Sequence, residues 1–267
     1  MKIPRYWVAI EADVFVDGHR QPSRFLGSSD HSEAEAREQA AMRVSQVQAR
    51  INANDGRRAE DYEVAIREEI VEELRSDAVV TRNRYGAEVL NCARLVMIDV
   101  DRAPEPGFWK SLFGRDKRTP KQRMFDHIRA AALSMEQRLG YRIYETHNGY
   151  RVIVTGRDMA PTDAAVQAMF KAMNCDPLYA MLCRKQDCYR ARLTPKPSRI
   201  KQPAIRLRFP YEPALSEALT EWLPQYQDRR TRYAVCKLVE VIGHDDPDRI
   251  VRYHDERTGC FTELPLA

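Results

Sequence analysis

The sequence lacks any long run of apolar residues. No stretch approaches the roughly 18 consecutive apolar residues that cross a bilayer, and the first seven residues contain no apolar segment of the kind found in signal peptides. We therefore expect a protein that has no membrane partner and stays in the cytoplasm. Internal repeats and low-complexity tracts are also missing, so the sequence does not indicate a repeat or fibrous architecture.

Cysteine is sparse, with six residues in a chain of 267. This number does not indicate a disulfide framework, and a cytoplasmic chain keeps its thiols reduced. Cys175, Cys183 and Cys188 are close together, but they lack the paired Cys-x2-Cys or Cys/His spacing of a structural zinc site. We expect buried free thiols rather than bound zinc.

Charge is distributed unevenly along the chain. Residues 1–77 carry 11 lysines and arginines against 16 acidic residues, whereas the remainder carries 32 against 23. Residues 184–208 hold nine basic residues and a single acid, Asp187. The arginines alternate with apolar residues at 189–193 and at 205–208, and this period places them on one face of a strand. A strand face lined with arginine predicts an anionic partner, most simply phosphate.

Residues 1–60 predict a small acidic ββα module. Residues 6–16 alternate as a strand, Asp17 and Gly18 form a turn, and a second strand lies near residues 24–26. A helix begins at Ser32 and runs to about residue 51. The module contains no catalytic motif, so we interpret it as a unit for packing or for binding a protein partner. Polar residues 52–60 are typical of a linker.

Residues 61–267 predict a larger α+β domain with a mostly antiparallel central sheet and packed helices. Residues 62–76 fit either a helix or a strand. Strands are expected at residues 79–85, 89–100, 141–145, 150–155, 189–193, 205–208 and 233–242. Helices are expected at residues 120–139, 161–173, 176–185 and 213–222. An acidic turn at residues 244–247 leads into a short tail.

Asp99 and Asp101 end an apolar strand at positions i and i+2, so both carboxylates point to the same face. Two carboxylates held this close repel each other unless a cation joins them. Mg²⁺ or Mn²⁺ does so in many sites, where it also bridges to substrate phosphate oxygens. The alternative is a solvated strand end with a capping aspartate.

Two later segments add polar residues in a suggestive order. They contribute Thr146, Asn148, Arg151, Asp187, Arg190, Arg192 and Lys196. The chain thus has a carboxylate pair on a strand, a Thr/Asn/Gly turn into a basic residue, and an acid followed by an arginine cluster. This order resembles the archaeo-eukaryotic primase superfamily, particularly its primase-polymerase branch, over about residues 93–201.

The resemblance implies an RRM-like sheet and a role for each matching residue. Asp99 and Asp101 would hold the metal and Asp187 would be the third carboxylate. Arg151 takes the place of a phosphate-contacting histidine, and the turn has one glycine where the family has two. The other residues expected to contact the triphosphate or the template are Thr146, Asn148, Arg190, Arg192 and Lys196. Strand alternation predicts that Arg151 faces the same side as Asp99.

The leading hypothesis is a primase-polymerase-like nucleotidyltransferase that uses Mg²⁺ or Mn²⁺ with nucleoside triphosphates and nucleic acid. A non-catalytic nucleic-acid-binding protein and a metal-dependent nuclease or phosphodiesterase remain as alternatives. Phe108, Trp109 and Phe113 in a basic loop either stack on bases or anchor the loop to the core. His254 and Asp255 are interpreted as part of a solvated turn rather than as metal ligands.

Overall fold

The computed structural model describes residues 1–53, 65–101 and 118–267. Most of the predicted linker and the three aromatic residues Phe108, Trp109 and Phe113 lie outside the described residues. Within the described ranges the chain forms ten strands and six α-helices, arranged as an α+β protein with three antiparallel sheets. No helix of these ranges is long and apolar enough to cross a membrane.

The N-terminal residues form the predicted ββα unit. Strands β1 (Tyr6–Val16) and β2 (His19–Ser29) pair antiparallel, and helix α1 (Glu33–Asn52) follows. Asp17 and Gly18 make the turn with φ angles of 49° and 78°, a conformation that aspartate tolerates and glycine adopts freely. The Ser32 side chain accepts a hydrogen bond from the Glu35 amide and caps the helix, as predicted.

The described residues after this unit form two four-stranded sheets and five α-helices. Its strands are β3 (Glu69–Arg75), β4 (Ala78–Arg82), β5 (Glu88–Cys92), β6 (Met97–Val100), β7 (Gly140–Thr146), β8 (Tyr150–Thr155), β9 (Tyr189–Arg192) and β10 (Cys236–Gly243). Its helices are α2 (Pro120–Ser134), α3 (Ala164–Ala172), α4 (Pro177–Gln186), α5 (Pro213–Arg230) and α6 (Arg249–Thr258). The first sheet has the order β10-β7-β8-β6 and the second the order β3-β4-β5-β9.

The first sheet is covered on both faces. On one face α2 packs through Phe125, whose ring centroid lies 5.7 Å from that of Tyr150. On the other face α6 packs through His254, whose ring lies edge-on to Tyr144 with centroids 5.0 Å apart. All six residues of β8 are buried, as expected for a central strand between two helical layers.

Three sequence predictions about single elements are wrong. The apolar run at residues 89–100 is two strands, because the chain bends at residues 93–96 and sends β5 and β6 to different sheets. Residues 205–208 alternate but form no strand, since the only ladder-like bond there joins the Leu207 amide to the Arg84 carbonyl. The expected tail contains α6, which begins after Asp248 because that side chain accepts from the Val251 amide.

All six cysteines are buried with free thiols, as the sequence predicts. Burial raises the pKa of the Cys188 thiol to about 12, so the thiol is protonated at neutral pH. Cys175 and Cys183 belong to the apolar core around the first sheet.

Candidate functional site

One pocket collects residues from four separate segments of the chain. Seven of the nine predicted site residues line it, together with Arg199 and Val235. We call it the Asp99 pocket, and its residues are Asp99, Asp101, Thr146, Asn148, Arg151, Arg192, Lys196, Arg199 and Val235. It lies where β6 ends, β7 turns into β8, and β9 leads into a short 3-10 helix.

Strand register places Arg151 beside Asp99. The two residues are direct cross-strand partners in the antiparallel pair of β6 and β8, and Tyr144 is the partner of Arg151 on β7. Direct partners share a face of the sheet, so Asp99, Arg151 and Tyr144 form a row across three strands. Val152 points to the opposite face because successive residues alternate. The predicted placement of Arg151 is confirmed.

The β7–β8 turn lies directly against the end of β6. A Cβ atom added at Gly149 would be 2.0 Å from the Val100 carbonyl oxygen, so only glycine allows this approach. The Gly149 amide donates to Thr146 Oγ1 over 3.1 Å and closes the turn. This contact brings Thr146 and Asn148 to the pocket that Asp101 lines.

The second sheet contributes the basic wall. Arg192 is the last residue of β9, and its carbonyl accepts from Nη1 of Arg151 over 3.2 Å. Lys196 precedes the 3-10 helix Pro197–Ile200, which carries Arg199. Lys196 is exposed and Arg199 is half-buried, so both side chains are accessible to a ligand.

Charges in the pocket are crowded and unequal. Of the residues that the structure describes, four cationic side chains line it against two carboxylates, and together they carry a formal charge of +2. Burial, with the nearby guanidiniums of Arg151 and Arg199, lowers the pKa of Arg192 to about 10. The Arg192 charge lowers the pKa of Lys196, and burial adds to the effect. Cations that depress one another's pKa are stabilised by a bound anion.

The surroundings of Asp99 disfavour the ionised form of its side chain. Burial raises its pKa, the Arg151 guanidinium opposes that rise, and the negative charge of Asp101 adds to it. The pKa of Asp99 therefore stays raised, mainly through burial, although cationic side chains line the same pocket. A cation between the two carboxylates would remove the remaining cost.

Arg151 is held in place by α6. The interpretation of His254 and Asp255 as a solvated turn is wrong, because both residues are buried on this helix. Nη1 of Arg151 lies 3.1 Å from Nε2 of His254, and Nδ1 of His254 lies 3.0 Å from Oδ1 of Asp255. Burial lowers the pKa of His254 to about 4, so the ring is neutral at pH 7. A neutral ring that accepts from Arg151 at Nε2 must donate to Asp255 from Nδ1.

Asp255 is the centre of a buried polar network. Tyr144 donates to Oδ1 over 2.7 Å and Nη2 of Arg142 donates to Oδ2 over 2.7 Å. Burial alone would raise the pKa of Asp255, but hydrogen bonds from His254 and Tyr144 outweigh it and leave the pKa lowered. An acid adjacent to a histidine at residues 254–255 is the only sequence signal of this network.

Two of the predicted site residues lie elsewhere. Asp187 ends α4 in a left-handed conformation with φ of 52°, and its carboxylate pairs with the Met1 ammonium over 3.4 Å. Arg190 donates to Glu68 over 2.5 Å and lines a different pocket. The prediction of Asp187 as a third carboxylate is therefore corrected, because the α4 terminus directs this side chain toward the N-terminus of the chain.

Asp176 is a further acidic residue close to Asp99, and the sequence alone did not place it there. Its amide donates to the Asp99 carbonyl over 2.9 Å, and its negative charge contributes to the raised pKa of Asp99. Its Oδ1 accepts from the Tyr179 amide over 2.8 Å, so the carboxylate is engaged as the cap of α4. In the described parts of the chain, no group of three or more potential ligand side chains could hold a metal ion.

Comparisons with protein-family models, with curated proteins and with solved structures give no match to this chain.

Proposed function

We propose that the chain is a primase-polymerase-like nucleotidyltransferase that binds a nucleoside triphosphate in the Asp99 pocket. The observation that carries the proposal is the meeting of two carboxylates with four cationic side chains in one pocket. Nucleoside triphosphates bound with a divalent metal present this combination of charges, since the metal needs carboxylates and the phosphates need cations. The two antiparallel four-stranded sheets are compatible with a primase-like domain.

The cationic side chains have separate tasks in this proposal. Arg192, Lys196 and Arg199 bind the phosphate oxygens from the side of the second sheet. Arginine suits this task because its planar guanidinium can donate two parallel hydrogen bonds to one phosphate. Arg151 is buried and already bonded through Nη1, so it presents a fixed positive charge beside Asp99.

Asp99 and Asp101 fit a divalent cation of the magnesium type. Both are hard oxygen donors, and burial, which raises the pKa of Asp99, makes its ionised form costly until a cation binds it. With two protein ligands, the remaining positions would be filled by water and substrate phosphate, as is common for Mg²⁺. Such an ion, when bound, supplies charge neutralisation between substrate phosphates and carboxylates and activates the attacking hydroxyl.

Calorimetry with Mn²⁺ and a non-hydrolysable nucleoside triphosphate tests the site. Asp99→Asn/Asp101→Asn should abolish metal binding and weaken metal-dependent nucleotide binding. Asp187→Asn is the matched control, because Asp187 lies apart from the pocket and pairs with the chain terminus. Equal metal binding by wild type and the double variant would refute the metal site.

Incubation with labelled oligonucleotide separates the reaction classes. A nucleotidyltransferase extends the oligonucleotide only when nucleoside triphosphate and metal are both present. A nuclease or phosphodiesterase shortens it with metal alone. Extension that survives in Asp99→Asn/Asp101→Asn would assign the chemistry to another site and contradict the proposal.

The second candidate function is nucleic-acid or nucleotide binding without chemistry. Two observations favour it: Asp187 is not at the pocket, and a buried arginine held by His254 stands where the resembling family has a histidine. This candidate predicts triphosphate binding that depends on Arg192 and Lys196 but not on metal. Metal-dependent binding would argue against it.

A further inference from the structure

A second basic pocket lies next to the Asp99 pocket and has no part in the function proposed above. Among the described residues, five arginines and one glutamate line it, and together they carry a formal charge of +4. We call it the arginine pocket, and its charged residues are Arg67, Glu68, Arg84, Arg190, Arg206 and Arg208. Tyr85 and Gln186 also contribute to its wall.

The backbone on one side of the arginine pocket is firmly positioned. The Leu207 side chain is buried, and its amide donates to the Arg84 carbonyl over 2.8 Å. Because side chains alternate along an extended segment, burial of Leu207 directs Arg206 and Arg208 to the exposed side. The arginines are thus displayed from an anchored segment rather than from a freely moving loop.

The positive charge of the arginine pocket is not balanced from within. Glu68 already accepts from Arg190 over 2.5 Å and from Thr81 over 2.6 Å. Among residues 1–53, 65–101 and 118–267, no carboxylate lies within ion-pair distance of Arg206 or Arg208. Arginines without a carboxylate partner at the wall of a pocket are the arrangement that a phosphate group satisfies.

The two pockets are connected by β9. Arg190 lines the arginine pocket and Arg192 lines the Asp99 pocket. The two residues are separated by one position, are both half-buried and share a face of the strand, so they lie roughly 6.6 Å apart along it. A ligand with phosphates repeated along its length can contact both arginines in turn.

An exposed aromatic side chain at the rim suits a nucleic-acid base. Tyr85 has 45% of its surface exposed, and the Arg84 guanidinium lies 4.6 Å from its ring centroid. Aromatic rings beside a basic groove are the usual platform on which unpaired bases stack. Bases in a duplex are already stacked on each other, so this feature favours a single strand.

We infer that the arginine pocket binds the phosphate backbone of a single-stranded nucleic acid, which runs along β9 toward the Asp99 pocket. Arg206 and Arg208 contact phosphates from the exposed segment, Arg190 contacts the phosphate nearest β9, and Tyr85 stacks on a base. The direction of the strand toward the Asp99 pocket rests on the proposed function. The binding itself does not.

Fluorescence anisotropy with labelled oligothymidylate of about 20 nucleotides tests the inference. Arg206→Gln/Arg208→Gln should lower the affinity at low salt by at least about ten-fold and reduce the slope of log affinity against log salt by about 1.4, since each phosphate contact on a single strand contributes about 0.7. Both side chains are exposed, so the variant should keep its fold. Tyr85→Leu should lower the affinity about five-fold or more.

The matched control removes two positive charges from a different part of the molecule. Arg37 and Arg50 are exposed on α1, and Arg37→Gln/Arg50→Gln should bind oligothymidylate as the wild type does. Equal losses in the two double variants, or no loss in Arg206→Gln/Arg208→Gln, would overturn the inference. An undetectable affinity of the wild type at low salt would also overturn it.

Two further measurements distinguish this inference from the proposed transfer reaction and from the binding of a free nucleotide. Asp99→Asn/Asp101→Asn should bind oligothymidylate at least as tightly as wild type even where metal-dependent nucleotide binding is lost, since the substitutions take away two negative charges and no phosphate contact. Retained strand binding would thus support the arginine pocket even if the proposed transfer reaction fails. Loss of metal-free triphosphate binding in Arg206→Gln/Arg208→Gln, with unchanged oligothymidylate binding, would assign the pocket to a free nucleotide and overturn the inference.

Discussion

At the scale of single residues, His254 acts on the Asp99 pocket without lining it. Its side chain is completely buried and connects Arg151 to the Asp255 network. Arg151 therefore depends on a residue more than a hundred positions later in the chain for the direction of its guanidinium. A positioning role of this kind predicts that a substitution of His254 changes both the stability of the fold and the binding of nucleotide, and each effect can be measured separately.

Replacing His254 by leucine should lower the free energy of unfolding by about 1–3 kcal/mol, because Arg151 and Asp255 each lose a buried hydrogen-bond partner. It should also weaken nucleotide binding through the released Arg151 side chain. His254→Gln offers both a donor and an acceptor and should retain more of both properties. Urea denaturation and calorimetry measure the two effects. Unchanged nucleotide binding in His254→Leu would contradict the positioning role.

The ionised side chain of Asp99 should bind metal but lower the stability of the folded protein. Its pKa is raised mainly by burial, so the ionised form lowers the stability of the folded protein at pH 7. Asp99→Asn should therefore raise the melting temperature at pH 7 while it removes metal binding. The gain should vanish as the pH falls through the folded pKa, because wild-type Asp99 is then protonated as well. A lower melting temperature of Asp99→Asn at pH 7 would contradict this assignment.

At the scale of elements, the β7–β8 hairpin and the end of β6 behave as one unit. Their contact is made through the backbone at Gly149, where neither side can move without disturbing the sheet. The pocket geometry thus depends on a close approach between two strand ends.

Gly149→Ala should destabilise the fold by about 1–3 kcal/mol, because the added methyl group meets the Val100 carbonyl and neighbouring backbone has to shift. It should also weaken nucleotide binding by moving Thr146 and Asn148. Gly18→Ala is the control: φ is 78° there, but no atom lies within 4 Å of the added methyl group. This control should lose stability through backbone strain and keep nucleotide binding. Equal binding losses would argue against a special role of the Gly149 contact.

At the scale of the whole molecule, the buried His254 should couple folding to pH. The pKa of His254 in the folded protein is about 4, below the ordinary value of 6.5. Between these pH values the unfolded chain therefore binds a proton at His254 that the folded chain does not bind. Stability should thus fall as the pH decreases from about 6.5 to about 4, by up to about 3 kcal/mol. The lowered pKa of Asp255 acts in the same direction at more acidic pH, and the raised pKa of Asp99 acts against it.

Urea unfolding at a series of pH values measures this dependence. His254→Gln removes the titrating group and should give a flatter profile between pH 4 and about 6.5, where His254 contributes. An equally steep profile in this variant would assign the pH dependence to other groups.

Local chemistry by itself determined much of the molecule. The acidic ββα unit follows from strand alternation, an Asp-Gly turn and a Ser N-cap, all of which act within a few residues. Strand alternation predicts the face of Asp99 and that of Arg151 on their own strands, whereas the register of β6 against β8 makes the two residues direct partners. The grouping of the carboxylates with Arg192 and Lys196 was predicted through the resemblance. In the structure these residues line one pocket, with Asp99 on the first sheet and Arg192 on the second.

Only the tertiary structure decided which residues meet across elements. The arginines of residues 184–208 share one charge pattern, yet Arg190 bonds to Glu68 and lines the arginine pocket, whereas Arg192 lines the Asp99 pocket. Asp187 is turned away by the end of α4, and His254 is buried because α6 packs on the first sheet. Sequence periods describe a residue's face on its own element, whereas these outcomes depend on the neighbours of that face, which long-range packing selects.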